Sequence, residues 1–297
     1  MPNFVDLVQA EHYLEHRYPE LPLPELPLPD EEFTNRWEEW LGRSPGGSPL
    51  REVEELLSAG GRIWLEKTPA GRIPVMHTSD RKCFERLVEL LRQKENDPPL
   101  PGSVNAFTLI SKHPALQGHR VILLHRAGYS SLSGSDFGIP EDEWLERSDV
   151  LRLHHECCHY FVLRVLGSMR NHVLDEIVAD CVGQLAAFGT FSASMQRKFF
   201  GLTEAPDEEG VAPNGVAPNG VAPSGVAPSG IAPGGRLTFY VKNLSDGATA
   251  EVCRRVNESL TRLETFLRAN ASLTGESERP ALILKLAASG AGAMAES

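Results

Sequence analysis

Residues 155–159 read His-Glu-Cys-Cys-His, and residues 175–180 read Asp-Glu-Ile-Val-Ala-Asp. On a helix, positions four apart share one face, so His155 and His159 present two imidazoles side by side. Two imidazoles so placed can grip one metal ion, and Glu156 beside them can take a proton from a water molecule. Glu176 and Asp180 repeat the spacing with carboxylates. The two segments together offer three ligands, a base and a carboxylate able to orient a ligand.

These side chains converge only if two helices carry them. Leu151, Leu153, Cys158, Phe161, Val162 and Val165 supply apolar positions around the first segment. Ser148 or Asp149 is a candidate cap for its start, and Gly167 is a plausible stop. A second helix is expected over roughly 172–188, ending near Gly189. A solvated polar helix face would use the same letters and bind nothing. The apolar context and the carboxylates on a second helix argue against that reading.

Upstream, Arg62–Leu65 and Arg72–Met76 read as strands, and Val104–Ser111 and Arg120–His125 are richer in β-formers. Residues 51–59 and 80–95 read as amphipathic helices. Residues 128–142, rich in Gly and Ser, read as a loop that leads into the motif helix and could line a cleft.

His155-Glu156-x-x-His159 is the arrangement of zinc hydrolases. A third His six residues after His159, with Gly at the third, would mark one large group of zinc peptidases. Val165 and Val162 stand there, which excludes it. Glu176-Ile-Val-Ala-Asp180-Cys-Val-Gly183 resembles the ligand helix of the gluzincins. It is most similar to that of the CAAX prenyl peptidases and the HtpX-type peptidases, and also similar to that of thermolysin. Asn105-Ala106-Phe107 resembles the Asn-Ala-Phe stretch that the first two groups carry on the strand flanking the substrate cleft. The resemblance covers roughly residues 104–190. Membrane-bound members of that family carry transmembrane helices that this chain does not show, and the gap between the two segments is shorter here.

The resemblance implies an α+β, zincin-like domain: a small twisted sheet, the active-site helix and the ligand helix, with helical additions at both ends. It implies one Zn²⁺ per chain, held by His155, His159 and Glu176, with Glu156 as general base in peptide-bond hydrolysis. Asp180 would accept a hydrogen bond from the far nitrogen of a ligand His, by analogy His155. Asn105, Ala106 and Phe107 would form the substrate strand. Gluzincins often use a downstream His or Tyr to stabilise the oxyanion, which points to Tyr240, with His172 and Tyr160 as weaker candidates and core packing as the plainer role for Tyr240. His154 is turned about 100° from His155 and is not expected to be a ligand. Cys157, Cys158, Cys181 and Cys253 suit packed helix faces, and Cys83 is a remote candidate for blocking the zinc. Two other readings stay open: zinc that only staples helices together, and a metallohydrolase or tailoring enzyme acting on a non-peptide substrate.

Composition sets the frame. The 297 residues carry 29 basic and 40 acidic side chains, a net charge of −11, which argues against nucleic acid as a partner. A peptide or protein substrate is expected, and the sequence does not speak to oligomeric state. The start, Met-Pro-Asn-Phe-Val-Asp-Leu, lacks the pattern of a secretory signal, and no apolar run reaches the ~18–20 residues of a membrane helix. Five cysteines do not read as a disulfide framework, so a cytoplasmic location is expected.

The chain divides into a helical and Pro-rich region with short strands (1–100), the metal-site core (101–200), a linker (201–236) and a C-terminal strand with helices (237–297). The linker holds the pentads VAPNG, VAPNG, VAPSG, VAPSG and IAPGG over 211–235. Proline and glycine in each pentad preclude a helix or a sheet core, so a flexible surface segment is expected. Leu237–Val241 reads as a short strand. Residues 247–269 read as a helix with Val252, Val256, Leu260, Leu263 and Leu267 on one face, and 279–288 as another.

Overall fold

Two β-rich stretches are apolar almost without interruption, so both of their faces are buried, and they form the middle of the sheet. In the computed structural model β2 (Gly71–Thr78) and β4 (Arg120–His125) lie side by side and parallel. The flanking strands β1 (Arg62–Thr68) and β3 (Ala106–Ile110) pair antiparallel to β2 and β4, giving the order β1-β2-β4-β3. The structure describes residues 2–15, 18, 22–42, 51–93, 100–168, 172–203, 230–232, 235–289 and 291.

Ten α-helices accompany the four strands among the described residues, a mixed α+β fold. They are α1 (Phe4–Leu14), α2 (Thr34–Leu41), α3 (Arg51–Leu57), α4 (Arg81–Arg92), α5 (Glu141–Leu166), α6 (Val173–Phe188), α7 (Ala193–Phe200), α8 (Thr238–Val241), α9 (Asp246–Ala269) and α10 (Arg279–Ala288). Strand side chains alternate between faces. Met76, Val121 and Leu123 face α2, α3 and α4 through Trp37, Val53, Phe84 and Leu87. Ile73, Val75, Ile122 and Leu124 share the larger core with α5, α6, α9 and α10. No helix among the described residues is long and apolar enough to cross a membrane.

Among the described residues β3 pairs on one side only, and its alternation matters for the site. Phe107 and Leu109 join the α4 side, whereas Ala106 packs toward the α5 side. Thr108, two residues on from Ala106, therefore faces α5 as well.

α5 and α6 pack closely. A Cβ on Gly183 would lie 2.7 Å from the Leu151 carbonyl oxygen. Glycine costs helix stability of about 1 kcal/mol relative to alanine, and here it permits the approach that brings the two polar segments together.

Two sequence expectations are corrected. α5 begins at Glu141, well before Ser148 or Asp149. Pro140 stands where a helix can start without losing a needed N–H, and Glu141, Asp142 and Glu143 suit the positive end of the helix. Ser148 is buried inside the helix, where its hydroxyl accepts from the Tyr129 amide (3.0 Å). The expected strand Leu237–Val241 is instead the single helical turn α8, whose Tyr240 and Val241 amides donate to the Leu237 carbonyl. Its β-forming residues are overridden by packing, with Leu237 and Val241 buried in the main core.

Of the expected flexible segment 211–235, residues 211–229, 233 and 234 lie outside the described residues. The last pentad is partly described, and it is held in place. Ile231 is buried in the main core and bridges Leu202, and the Thr203 amide donates to Gly230 O at 3.0 Å. The chain thus leaves at Thr203 and returns at Gly230 at one point. Each doubling of a loop's length costs only about 0.6 kcal/mol. Replacing 204–229 with a turn of about four Gly/Ser residues is therefore expected to stabilise by roughly 1–2 kcal/mol. Ile231→Ala is expected to destabilise by about 2–5 kcal/mol. Urea unfolding of the two variants checks this; equal midpoints would refute it.

Candidate metal centre

α5 and α6 deliver three donor groups to one place. His155, His159 and Glu176 each offer a ligand atom, and these atoms lie within 4.8 Å of one another. His155 Nε2 and His159 Nε2 are 2.9 Å apart. Glu176 Oε2 is 3.7 Å from the first and Oε1 is 3.6 Å from the second. Zinc bonds these atom types at about 2.0–2.2 Å in a tetrahedron, which separates neighbouring donors by roughly 3.3–3.6 Å. The two His–Glu176 distances are close to that spacing, the His155–His159 distance is shorter, and two imidazole nitrogens with a carboxylate oxygen are a donor set that suits zinc.

The two candidate ligand rings have defined surroundings. His155 Nδ1 is 2.8 Å from Asp180 Oδ1, so the ring proton belongs on Nδ1 and the lone pair of Nε2 points to the centre. Burial alone would lower the pKa of His155, but the hydrogen bond and charge of Asp180 outweigh it and raise it. Burial, then the neighbouring His155, push His159 down to about 4, so it is neutral at pH 7 and able to bind a cation.

Asp180 is fully buried, which by itself would raise its pKa; the charge of Arg236 and the hydrogen bonds from His155 and Gln196 hold it well below the usual carboxylate range. Gln196 on α7 donates to Asp180 Oδ2 at 2.6 Å, and Arg236 donates to the same oxygen. Tyr129 donates to Asp180 Oδ1 at 2.5 Å and lies 2.9 Å from His155 Nδ1.

Glu156 points to the sheet. The Thr108 hydroxyl on β3 donates to its Oε2 at 2.7 Å. The edge strand and the candidate base are thus joined directly.

The other expected residues are distributed as follows. Asn105 precedes β3, is buried, accepts from Arg81 at 3.1 Å and pairs with His125 Nδ1 at 2.8 Å, so its side chain fixes the start of the strand. Ala106 lies on the α5 side of the strand, and Phe107 turns to the opposite face against Phe84. Tyr240, on α8, faces Glu176; burial and that carboxylate raise its pKa, so it stays protonated. His172 caps α6, accepting from the Leu174 amide at 3.3 Å with its Nε2 2.9 Å from Tyr13 O. Tyr160 bonds Glu31 and Arg164. Cys83 lies on α4, bonded to Leu56 O at 3.1 Å, in the opposite layer. Cys157 and Cys158 are held as thiols by burial.

Sequence reasoning missed Thr108, Tyr129, Gln196 and Arg236. Period-two alternation from Ala106 would have found Thr108. The others join the site through long-range contacts.

The fold and site describe an α+β protein with a two-His, one-Glu cluster between adjacent helices. Residues 104–210 match the family described as "Family of unknown function (DUF7005)". Comparisons with curated proteins and with solved structures return no match. The matched span takes in β3, β4, α5, α6 and α7, and so includes Thr108, Tyr129, His155, Glu156, His159, Glu176, Asp180 and Gln196. It ends before Arg236 and Tyr240.

Proposed function

We propose that this chain is a zinc-dependent, gluzincin-type peptidase. The observation that carries the reading is the convergence of His155, His159 and Glu176 beside a glutamate that is tied to an edge strand. A purely structural zinc site needs no such base.

His155, His159 and Glu176 would hold the ion. Zinc bound there would polarise a carbonyl and make a water molecule acidic near neutrality, at a pKa of about 7. Glu156 accepts a proton from the attacking water and returns it to the departing amine. Thr108 keeps the Glu156 carboxylate in one orientation. Among the described residues the outer edge of β3 is unpaired, with Ala106 through Leu109 half-buried, and an extended peptide can bind such an edge by strand addition. Tyr240, beside Glu176, is the candidate donor to the developing oxyanion. All five cysteines are free thiols, which suits a reducing, cytoplasmic setting.

The test is a digest of an unbiased peptide library by the zinc-loaded protein, read by mass spectrometry. Cleavage that stops with a chelator and returns with added Zn²⁺ is expected. Zinc-loaded protein that cleaves no peptide would favour zinc as a structural staple or a non-peptide substrate.

A further inference from the structure

Arg236 follows the last pentad directly and lies outside the span that carries the donor residues. Its guanidinium nevertheless reaches the heart of the site. Nη2 donates to Asp180 Oδ2, Nη1 donates to the Tyr129 hydroxyl at 3.0 Å, and Glu176 Oε2 is 4.0 Å away. The same group lies over the rings of Tyr129 and Phe200, at 5.4 and 5.3 Å from their centroids.

The backbone is pinned on both sides of this reach. The Ala232 amide donates to Gly201 O at 2.7 Å, and the Leu237 amide donates to Phe200 O at 3.2 Å. Gly235 sits so close to the end of α7 that a Cβ on Gly201 would lie 2.5 Å from its Cα. Side chains at either glycine would push residue 236 out of place.

We propose that Arg236 is a positioning residue, and that the metal centre is built from two stretches of chain: the α5–α6 pair, and the segment that re-enters after the pentads. The inference rests on the reading of His155, His159 and Glu176 as metal ligands. Asp180 and Tyr129 are the two groups that meet His155 Nδ1, and Arg236 bonds both of them. By fixing them, it fixes the ring whose Nε2 faces the centre. A guanidinium suits this role because its planar fork can serve two acceptors at once.

A positive charge near a cation site could instead weaken binding. The pairing with Asp180 decides the balance. The two charges are in contact, so from the position of the ion they act largely as a neutral pair, and the ordering of ligands dominates. Removing the partner of a buried charge is also costly in itself.

The experiment uses the full chain and Co²⁺ as the probe, with affinity from chelator competition, coordination from the visible absorption bands, and thermal unfolding as a check of the fold. Arg236→Gln is expected to weaken Co²⁺ binding by about 10–100-fold, the usual range for groups that orient ligands, and to change the absorption bands. Arg236→Lys is expected to recover only part of the loss, since an ammonium keeps the charge without the fork. Tyr129→Phe removes one hydroxyl, retains the ring, and provides the measurement if Arg236→Gln fails to fold; a loss of about 10-fold is expected.

Wild-type affinity and spectrum in both Arg236→Gln and Tyr129→Phe would overturn the proposal. Tighter binding in Arg236→Gln would overturn it as well, because charge repulsion would then outweigh ordering. If the wild-type chain binds Co²⁺ no better than His159→Ala, the metal reading and this inference fall together. Normal wild-type binding with unaffected Arg236 variants removes the inference alone.

Discussion

The His159→Ala protein is expected to fold and to lose tight zinc binding. Its Nε2 is one of three clustered donor groups, 2.9 Å from His155 Nε2 and 3.6 Å from Glu176 Oε1, and alanine deletes it. Loss of an outer group that only orients a ligand costs about 10–100-fold in affinity; loss of a ligand itself should exceed that. The fold should survive, because the side chain is 12% exposed and no buried polar group is left dependent on it except its neighbours at the centre. His155→Ala should remove binding too, and at a higher cost in stability, since it leaves Asp180 Oδ1 with one partner fewer. Glu176→Ala should weaken binding severely. Zinc content by mass spectrometry after dialysis, alongside melting curves, measures both quantities. Full zinc occupancy in His159→Ala would remove the assignment.

Much of this centre was legible because it is local. The i, i+4 spacings of His155/His159 and Glu176/Asp180 place each pair on one helix face, and the flanking apolar residues and the stops at Gly167 and Gly189 set the helices. The face of α9 was legible for the same reason, with Val252, Val256, Leu260, Leu263 and Leu267 all buried. What was not legible is what depends on tertiary contact. Tyr129 sits in a Gly/Ser-rich loop with no periodicity, and its link to Asp180 spans 51 positions. Arg236 bonds Asp180 across 56 positions, from behind a repeat that reads as a linker. Tyr240 lies in a β-rich stretch that reads as a strand, whereas burial of Leu237 and Val241 in the core makes it a helical turn. Ser148 and Asp149 read as caps because a polar residue before an apolar run resembles one, although the acidic turn after Pro140 begins α5.

The Glu156→Gln protein separates chemistry from architecture. The substitution preserves the shape and length of the side chain, and the amide oxygen can still accept the Thr108 hydrogen bond now made at 2.7 Å. Fold and zinc content are therefore expected to match the wild type. Hydrolysis is expected to fall steeply, because an amide cannot take the proton of the attacking water; a positioned general base contributes about 10²–10⁴-fold. Thr108→Val gives the graded companion. It keeps the carboxylate but frees its orientation, so a smaller fall in kcat is expected with zinc still bound. The measurement is turnover of a peptide found in the library digest, with zinc content determined on the same samples. Undiminished turnover in Glu156→Gln would show that Glu156 is not the base. Loss of zinc together with turnover would instead give Glu156 a part in holding the ion, and the three-donor triangle would have to be redrawn around it.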